Sequence, residues 1–426
     1  MKFWVFAFNP LERYMDNYTE IFDAWEAGGV RGLVVGRMFF MEPDGSHVPA
    51  IPQDPAAYKH FGLEPPEPAP RDEAKERALS AMLDDAKRRD WPVMVFDSGP
   101  PAHVQSLINR YPQVDGVITD GPGENHYELA KHHGGELFEL RPHERTQFGD
   151  MGFAVDRLER GIGKLRDSFH RLTPDRVRYH AAGGALAGLL LFDIDEDGLY
   201  WLRARQQRSV NIWRQARADL DQVDRYVQLG GIPRITSWSS LTGQNYHEMP
   251  QYFDVIFPKH YYWHRGFDGM YGTVQRWVQK FMEWNPTLSE ADGFLLMKSL
   301  FGLDLPGVNC LIDLEMGFPE EFFSQLVHSE TRRALDAIGD AEKTIFWVST
   351  GRYPHAGDPM PARDLEGILR ATQEAGATRF LFHPDPDPGP AEWTILTSMC
   401  GQPWRQSRNG YWPPDSRKPD EYLQPE

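Results

Sequence analysis

Residues 114–124 read VDGVITDGPGE, an apolar run that leads into two carboxylates, Asp120 and Glu124, on a Gly/Pro-rich turn. Apolar and β-branched residues followed by glycine and proline predict a short buried strand that ends in a tight turn. In a parallel α/β barrel the carboxyl ends of all strands open on one face, where their loops build the active site. This stretch therefore predicts a barrel strand with chemistry at its end.

The same pattern occurs elsewhere in the chain. The run 93–96 ends in Asp97, and the run 254–257 is followed by Lys-His-Tyr-Tyr-Trp at 259–263. Strand-like and helix-like runs alternate almost throughout, which is typical of βα units and a parallel sheet. We therefore predict an α/β fold, a (β/α)8 TIM barrel with long insertions in its βα loops.

Nine strand candidates compete for the eight places of such a barrel. They lie at residues 3–8, 32–36, 93–96, 116–119, 233–237, 254–257, 308–312, 345–349 and 379–382. The candidate at 308–312 has the weakest pattern, and we expect it to lie outside the barrel. Helical periodicity is found at residues 73–89, 155–172, 202–229, 273–283, 320–338 and 363–375.

The domain organisation follows from this alternation. We predict one barrel over residues 1–402 and a surface tail over 403–426. The proline-rich segment 43–70 is long for a simple connection, which favours a functional loop over the catalytic face. The apolar run 185–192 lies between the fourth and fifth strand candidates and is compatible with an extra strand.

Composition and charge limit the partners. The chain has 62 acidic and 45 basic residues, a net charge of −17, which argues against nucleic acid because phosphates require a basic surface. No run reaches the roughly 20 apolar residues of a membrane span, so no membrane partner is expected. The apolar N-terminus is too short for a signal peptide, which favours a cytoplasmic protein. A processed secreted form and a homo-oligomer stay open.

Carboxylates near predicted strand ends are the catalytic candidates. Hydrolysis of a glycosidic bond uses two carboxyl groups, about 5 Å apart for retention or roughly 6.5–9.5 Å for inversion. Such a pair can come from Asp120, Asp97, Glu124, Glu315 and Asp313. The structural alternative is that some of these residues only cap helices or close turns.

Aromatic and basic residues after the predicted strands are the substrate-binding candidates. Sugar rings stack their C–H faces on aromatic planes, and their hydroxyls need polar partners nearby. The alternative is that about half of these rings pack between the barrel and its helices. The candidates are Arg37, Trp238, Lys259, His260, Tyr261, Trp263, Arg352 and His383.

Metal binding is the main chemical alternative. His126, His132 and His133 are close in sequence, but adjacent histidines on a helix cannot face one ligand site. The sequence therefore predicts no metal site, and we expect no cofactor.

Three stretches carry a resemblance to a known group of proteins. Residues 114–121, the helix opening Trp-Leu-Arg-Ala-Arg at 201–205, and the run 254–262 resemble bacterial TIM-barrel proteins assigned as hypothetical glycoside hydrolases. In the large retaining superfamily of such barrels the acid follows strand four and the nucleophile follows strand seven. The resemblance thus implies Asp120 or Glu124 together with Glu315, although no Asn-Glu pair closes strand four here.

The leading hypothesis is a glycoside hydrolase that takes part in polysaccharide degradation, acts on an oligosaccharide or glycoside, and uses Asp120 as acid or base. A barrel that only binds glycans, and a metal-dependent hydrolase or lyase, are the alternatives. The sugar, the linkage, the stereochemical outcome and the role of each carboxylate stay open. We expect Asp97, Asp120, Trp238, His260 and His383 to open on one face of the barrel.

Overall fold

In a computed structural model of the protein, eight parallel strands form its centre. The structure describes residues 1–8, 10–129, 135–181, 183–262, 269–349, 362–383 and 390–402. The strands are β1 (Lys2–Ala7), β2 (Val30–Val35), β3 (Val93–Val95), β4 (Gly116–Asp120), β5 (Gln228–Ile232), β6 (Val255–Ile256 and Lys259–His260), β7 (Phe346–Ser349) and β8 (Arg379–His383). All of their pairings are parallel.

Strand β6 closes the ring. Its first segment pairs with β5, and its second segment pairs with β7. Pro258 separates the two segments because proline has no N–H for the ladder. Its carbonyl still accepts a 2.9 Å hydrogen bond from the N–H of Trp347 on β7. Since β1 pairs with both β2 and β8, the eight positions form a closed (β/α)8 barrel.

Alternate residues of the strands fill the inside of the barrel. Side chains on one face of each strand point inward and those on the other face pack against the helices. The inner group consists of Trp4, Phe6, Val34, Met94, Ile118, Ile232, Val255, Phe257, Ile345, Trp347 and Leu381, none more than 7% exposed. This alternation determines which residues beyond each strand reach the opening of the barrel.

Helices cover the outside of the barrel. The helix Glu73–Arg88 shows how they begin, because the carboxylate of Asp72 accepts hydrogen bonds from the N–H groups of Ala74 and Lys75. The α-helices are Glu12–Met15, Tyr18–Ala27, Pro55–His60, Glu73–Arg88, Pro101–Arg110, Pro142–Asp150, Val155–Phe169, Pro174–His180, Gly184–Leu191, Glu196–Leu220, Ser239–Thr242, Met270–Trp284, Glu290–Phe301, His328–Ile338, Ala362–Glu374 and Pro390–Cys400. Within the described ranges, no helix is long and apolar enough to cross a membrane.

Seven of the nine strand candidates are confirmed to within a few residues, one is corrected in position, and one is not a strand. The fifth strand is Gln228–Ile232, so the prediction at 233–237 was placed five residues too late. The run at 308–312 lies outside the barrel, as expected, and leads into the 3-10 turn Leu311–Glu315. The apolar run 185–192 is mostly the helix Gly184–Leu191 and contains no strand. The predicted tail, 403–426, lies outside the described residues.

Gly32 on β2 makes room for a ring inside the barrel, which leads to a stability prediction. A Cβ atom at this position would lie 2.3–2.5 Å from atoms of the Trp4 indole, a rigid side chain that has little space to move. We expect Gly32→Ala to lower the free energy of unfolding by about 1–3 kcal/mol, the usual cost of overpacking. Urea denaturation measures this difference.

Gly163 provides the control for that measurement. It lies in the helix Val155–Phe169, and a Cβ atom there meets nothing within 4 Å. Gly163→Ala should leave stability unchanged or raise it by about 0.5–1 kcal/mol. Equal losses in the two variants would contradict the packing argument.

Candidate functional site

Three charged side chains at the ends of neighbouring strands point towards the inside of the barrel. Asp120 lies two residues after Ile118 on β4, Arg234 lies two residues after Ile232 beyond β5, and Lys259 lies two residues after Phe257 on β6. The Lys259 Nζ lies 2.9 Å from the Asp120 Oδ1. The carboxyl ends of β4, β5 and β6 thus bring one anion and two cations together at the opening of the barrel.

The Asp120–Lys259 pair is asymmetric in its exposure. The Lys259 side chain is 4% exposed, whereas that of Asp120 is 47% exposed. A carboxylate with one side against a buried ammonium and the other side open can reach a substrate without losing its partner. Asp120 is therefore the charged group of this cluster that is best placed for chemistry.

Electrostatics keep Asp120 ionised. Partial desolvation at the barrel opening opposes ionisation of the carboxyl group, but the positive charges of Lys259 and Arg234 outweigh it and lower the pKa of Asp120 below its ordinary value. Burial and the charge of Arg234 also lower the pKa of the Lys259 ammonium, against the attraction of Asp120. At neutral pH the site therefore offers a carboxylate suited to act as a nucleophile or base.

Arg234 links Asp120 to a second carboxylate. Its guanidinium donates two hydrogen bonds, of 2.8 and 3.1 Å, to the two oxygens of Glu124. Its carbon Cζ lies 5.6 Å from the centroid of the buried Tyr127 ring, a cation–π distance. Burial opposes the charge of Arg234, but Glu124 raises the pKa of the guanidinium above its ordinary value. Arg234 thus has a fixed position between Glu124 and Tyr127.

Three aromatic rings continue the inner packing of the barrel towards its opening. Phe8, Phe96 and Tyr261 are half-buried and pack against the apolar residues inside the barrel. The Phe96 ring lies 5.9 Å from that of Trp347, and the Lys259 Nζ lies 5.7 Å from the Tyr261 ring. The barrel opening therefore combines exposed ring surface with a carboxylate, as a sugar-binding site requires.

Asp97 lies in a separate side cavity. The preceding residue, Phe96, faces the inside of the barrel, so Asp97 points to the outer side of β3. There its Oδ1 lies 3.5 Å from His103 Nε2, and both residues line a cavity together with the proline-rich loop after β2. The loop therefore lines the cavity in which Asp97 lies, and its place over the catalytic face stays a prediction. Asp97 itself is not part of the charged cluster.

Two of the predicted substrate-binding residues are buried away from the opening. His260 alternates with Lys259 and so points outward, where its ring lies 4.4 Å from Phe346 and its Nδ1 lies 3.3 Å from Thr372 Oγ1. Burial lowers the pKa of His260 to about 3, so the ring is neutral. Trp238 is 2% exposed and packs edge-on against Phe301 at 4.5 Å. The prediction that both open on the barrel face is corrected.

Asp313 and Glu315 do not follow a barrel strand. Asp313 accepts hydrogen bonds from the N–H groups of Asn309 and Cys310, and these bonds lower the pKa of its carboxyl group. It thereby caps the 3-10 turn that Glu315 ends. These contacts match the structural alternative for Asp313.

The remaining predicted site residues are only partly described. Arg37 is exposed two residues after β2. Trp263 and Arg352 lie outside the described residues, as do His132 and His133, and so does the side chain of His383. Among the described residues, no three of His, Cys, Asp and Glu lie close enough together to hold a metal ion.

Sequence reasoning missed Arg234, Tyr127, Phe8 and Phe96. The alternation of side chains along each strand could have indicated them. Phe8 follows Trp4 and Phe6 at every second position, and Arg234 follows Ile232 in the same way, so all of these side chains face inward. The inward direction of Arg234 could not be inferred, because the fifth strand was predicted five residues too late.

The protein is similar to known proteins only in its fold, at low sequence identity. No family model matches the sequence, and no curated protein matches it. Among solved structures, the chain is similar to the PgaB (BpsB) glycoside hydrolase domain from Bordetella bronchiseptica, with 11% identity and a TM-score of 0.40 over 90% of this chain and 94% of that one.

Two further solved structures are also glycoside hydrolases. The beta-galactosidase from the psychrophilic Marinomonas ef1 has 12% identity and a TM-score of 0.42, over 94% of this chain and 59% of that one. The beta-glucosidase from Thermotoga maritima has 10% identity and a TM-score of 0.30, over 87% and 77% of the two chains. An HpcH/HpaI aldolase from Desulfitobacterium hafniense DCB-2 is similar at a TM-score of 0.29.

These structures carry no conclusion about the reaction of this chain. Its class follows from its own strand pairing: the chain is a (β/α)8-barrel protein with a charged cluster at the carboxyl end of the barrel.

Proposed function

We propose that this protein is a carbohydrate-active enzyme, a glycoside hydrolase in which Asp120 is the ionised catalytic carboxylate. The observation that carries the proposal is the half-exposed Asp120 carboxylate, held 2.9 Å from the buried Lys259 at the barrel opening. The half-buried rings of Phe8, Phe96 and Tyr261, which pack against the inner residues of the barrel, supply stacking surface for a sugar.

The lowered pKa of Asp120 restricts its role. A carboxyl group that is ionised at neutral pH can attack the anomeric carbon, or remove a proton from the water that does so. It is a poor proton donor to the leaving oxygen. We assign no residue to the proton donor, because Arg234 holds both oxygens of Glu124.

An activity screen tests the proposal. The purified protein is incubated with nitrophenyl glycosides and with soluble polysaccharides, and released nitrophenol and new reducing ends are measured. Turnover of at least one substrate supports the proposal, and proton NMR of the first-formed anomer then distinguishes retention from inversion. Binding of glycans without release of product from any of them would contradict hydrolysis and favour a barrel that only binds.

We expect the substitution Lys259→Met to change the pH dependence of that activity. Removing the ammonium takes away a charge that lowers the pKa of Asp120, so this pKa rises in the variant. Activity that needs an ionised Asp120 is lost as pH falls through this pKa. The acid limb of kcat/KM should therefore move to higher pH, as measured by initial rates across the acid range.

A matched lysine controls for the loss of positive charge. Lys298 pairs with Asp304 at 2.6 Å, and both side chains are about half exposed or more. Lys298→Met should leave the acid limb in place. An unshifted limb in Lys259→Met would mean that the ionisation of Asp120 does not control the rate.

A further inference from the structure

The loop after β2 encloses a cavity beside the barrel opening. The cavity measures about 490 Å³, within the range of about 300–1,000 Å³ typical of small-molecule sites. Seven prolines between Pro49 and Pro70 form much of its wall, together with Met38, Ile51 and Tyr58. Because proline fixes its own φ angle, such a wall is rigid and loses little entropy when a ligand binds.

Hydrogen bonds inside the cavity fix the tautomer of His103. The amide nitrogen of Gln53 donates to the Ile51 carbonyl at 2.9 Å, so the amide oxygen faces inward. That oxygen accepts a hydrogen bond from the Tyr58 hydroxyl at 2.7 Å and lies 3.2 Å from His103 Nδ1. An oxygen acceptor requires a donor opposite it, so Nδ1 carries the proton. In the neutral ring, Nε2 is then an acceptor.

In this neutral form of the ring, two acceptors face each other. His103 Nε2 lies 3.5 Å from Asp97 Oδ1, and in this tautomer no hydrogen lies between them. Within the described part of the chain, His103 Nε2 is a buried atom without a hydrogen-bond partner. Unsatisfied acceptors are costly, and two of them side by side call for a group that donates to both.

The charges around the cavity disfavour an anionic ligand. Asp97 and Glu67 line it, whereas the guanidinium of Arg71 is engaged by Glu76 through two hydrogen bonds of 2.9 and 2.7 Å. A ligand that is negatively charged would meet two carboxylates, and the one arginine that lines the cavity is already paired. A neutral ligand rich in hydrogen-bond donors and with an apolar face fits both the walls and the acceptors.

We propose that this cavity binds one neutral sugar ring, with hydroxyls on adjacent carbons donating to Asp97 Oδ1 and His103 Nε2. The C–H face of the ring packs against Met38, Ile51 and Tyr58. Asp97 is thereby a binding residue. The choice of a sugar as ligand rests on the proposed function, but the cavity and its paired acceptors do not.

Binding is tested in the Asp120→Asn background, so that no turnover interferes. Methyl glucoside, methyl galactoside and methyl mannoside are titrated by calorimetry and saturation-transfer NMR, alongside tetrahydropyran, which lacks hydroxyls, and glucuronate, which is anionic. At least one neutral glycoside should bind, and the other two probes should not. Absence of binding by all three glycosides would overturn the proposal.

Asp97→Asn separates a binding role from a structural one. The new amide N–H lies opposite His103 Nε2 and satisfies it internally, so the affinity for the glycoside should fall by about tenfold or more while Tm does not fall. Asp156→Asn, at a carboxylate that is 83% exposed, is the matched control and should change neither quantity. A lower Tm with unchanged affinity would assign Asp97 a structural role and overturn the proposal.

Nitrogen-15 NMR of the His103 ring provides an independent measurement. The ligand-free protein should show a protonated Nδ1 and an unprotonated Nε2. A proton on Nε2 would already satisfy Asp97, and that result would overturn the paired-acceptor argument. Glycoside binding at this cavity without any hydrolysis by the wild-type protein would refute the proposed function and leave the cavity proposal intact.

Discussion

Replacing Asp120 with asparagine should lower kcat/KM for a glycoside by about 10²–10⁴-fold, because it removes the only group in the cluster that is both ionised and half-exposed. The change preserves the shape of the side chain, and the new amide oxygen can still accept a hydrogen bond from Lys259. We therefore expect Tm to stay within a few degrees of the wild type. Initial rates and thermal unfolding measure the two effects.

The opposite end of the same strand provides a matched control. Asp115 precedes β4 and pairs with Lys87 at 2.8 Å, and its side chain is 31% exposed. Asp115→Asn therefore removes the same charge from another carboxylate–lysine pair, but far from the barrel opening. Turnover should survive in this variant. Near-normal turnover in Asp120→Asn would remove Asp120 from the catalytic mechanism.

Arg234→Met should cost about 3 kcal/mol of stability, the largest structural effect that we expect. The side chains of Arg234 and Glu124 are 9% and 19% exposed, so the variant leaves a mostly buried carboxylate without its bidentate partner. Breaking a buried ion pair costs about 3–5 kcal/mol, and the partial exposure of Glu124 places this pair at the lower end. Urea denaturation at neutral pH measures the loss.

Two further variants make that result interpretable. Arg370 pairs with Glu366 on a helix surface, where the side chains are 62% and 38% exposed, so Arg370→Met should cost less than about 1 kcal/mol. The double variant Glu124→Leu with Arg234→Met should recover part of the loss, since no unpaired charge remains. A loss in Arg234→Met no larger than that in Arg370→Met would show that the Glu124 pair does not support the fold.

The strands that were predicted correctly are those with apolar side chains at consecutive positions. β5 differs because Gly230 and Gly231 interrupt its pattern, and glycine is unfavourable in strands. Both glycines are explained by close packing: a Cβ atom on Gly230 would lie 2.9 Å from Ile118 and Phe257, and one on Gly231 would lie 2.7 Å from Phe253. Such contacts come from other strands and loops, so the sequence of β5 alone does not reveal them.

The site was predictable at the level of position but not of side-chain direction. Asp120 and Lys259 were predicted from strand ends, and the structure brings them together. His260 was predicted from the same strand end, but a strand turns successive side chains to opposite faces, so Lys259 points inward and His260 outward. Choosing between them requires the register of β6, which depends on its pairing with β5 and β7.

Strand β6 is interrupted at Pro258 and closes the barrel with few paired residues, and we call it the seam of the barrel. β6 has only two paired positions on each side, whereas β4 has two with β3 and five with β5. Regions with few backbone hydrogen bonds open at lower free energy than the rest of a fold. Because Lys259 belongs to the seam, a local opening there would separate its ammonium from Asp120 while the other strands stay paired. The ionisation of the carboxylate would thereby depend on barrel closure, and it would change before the protein as a whole unfolds.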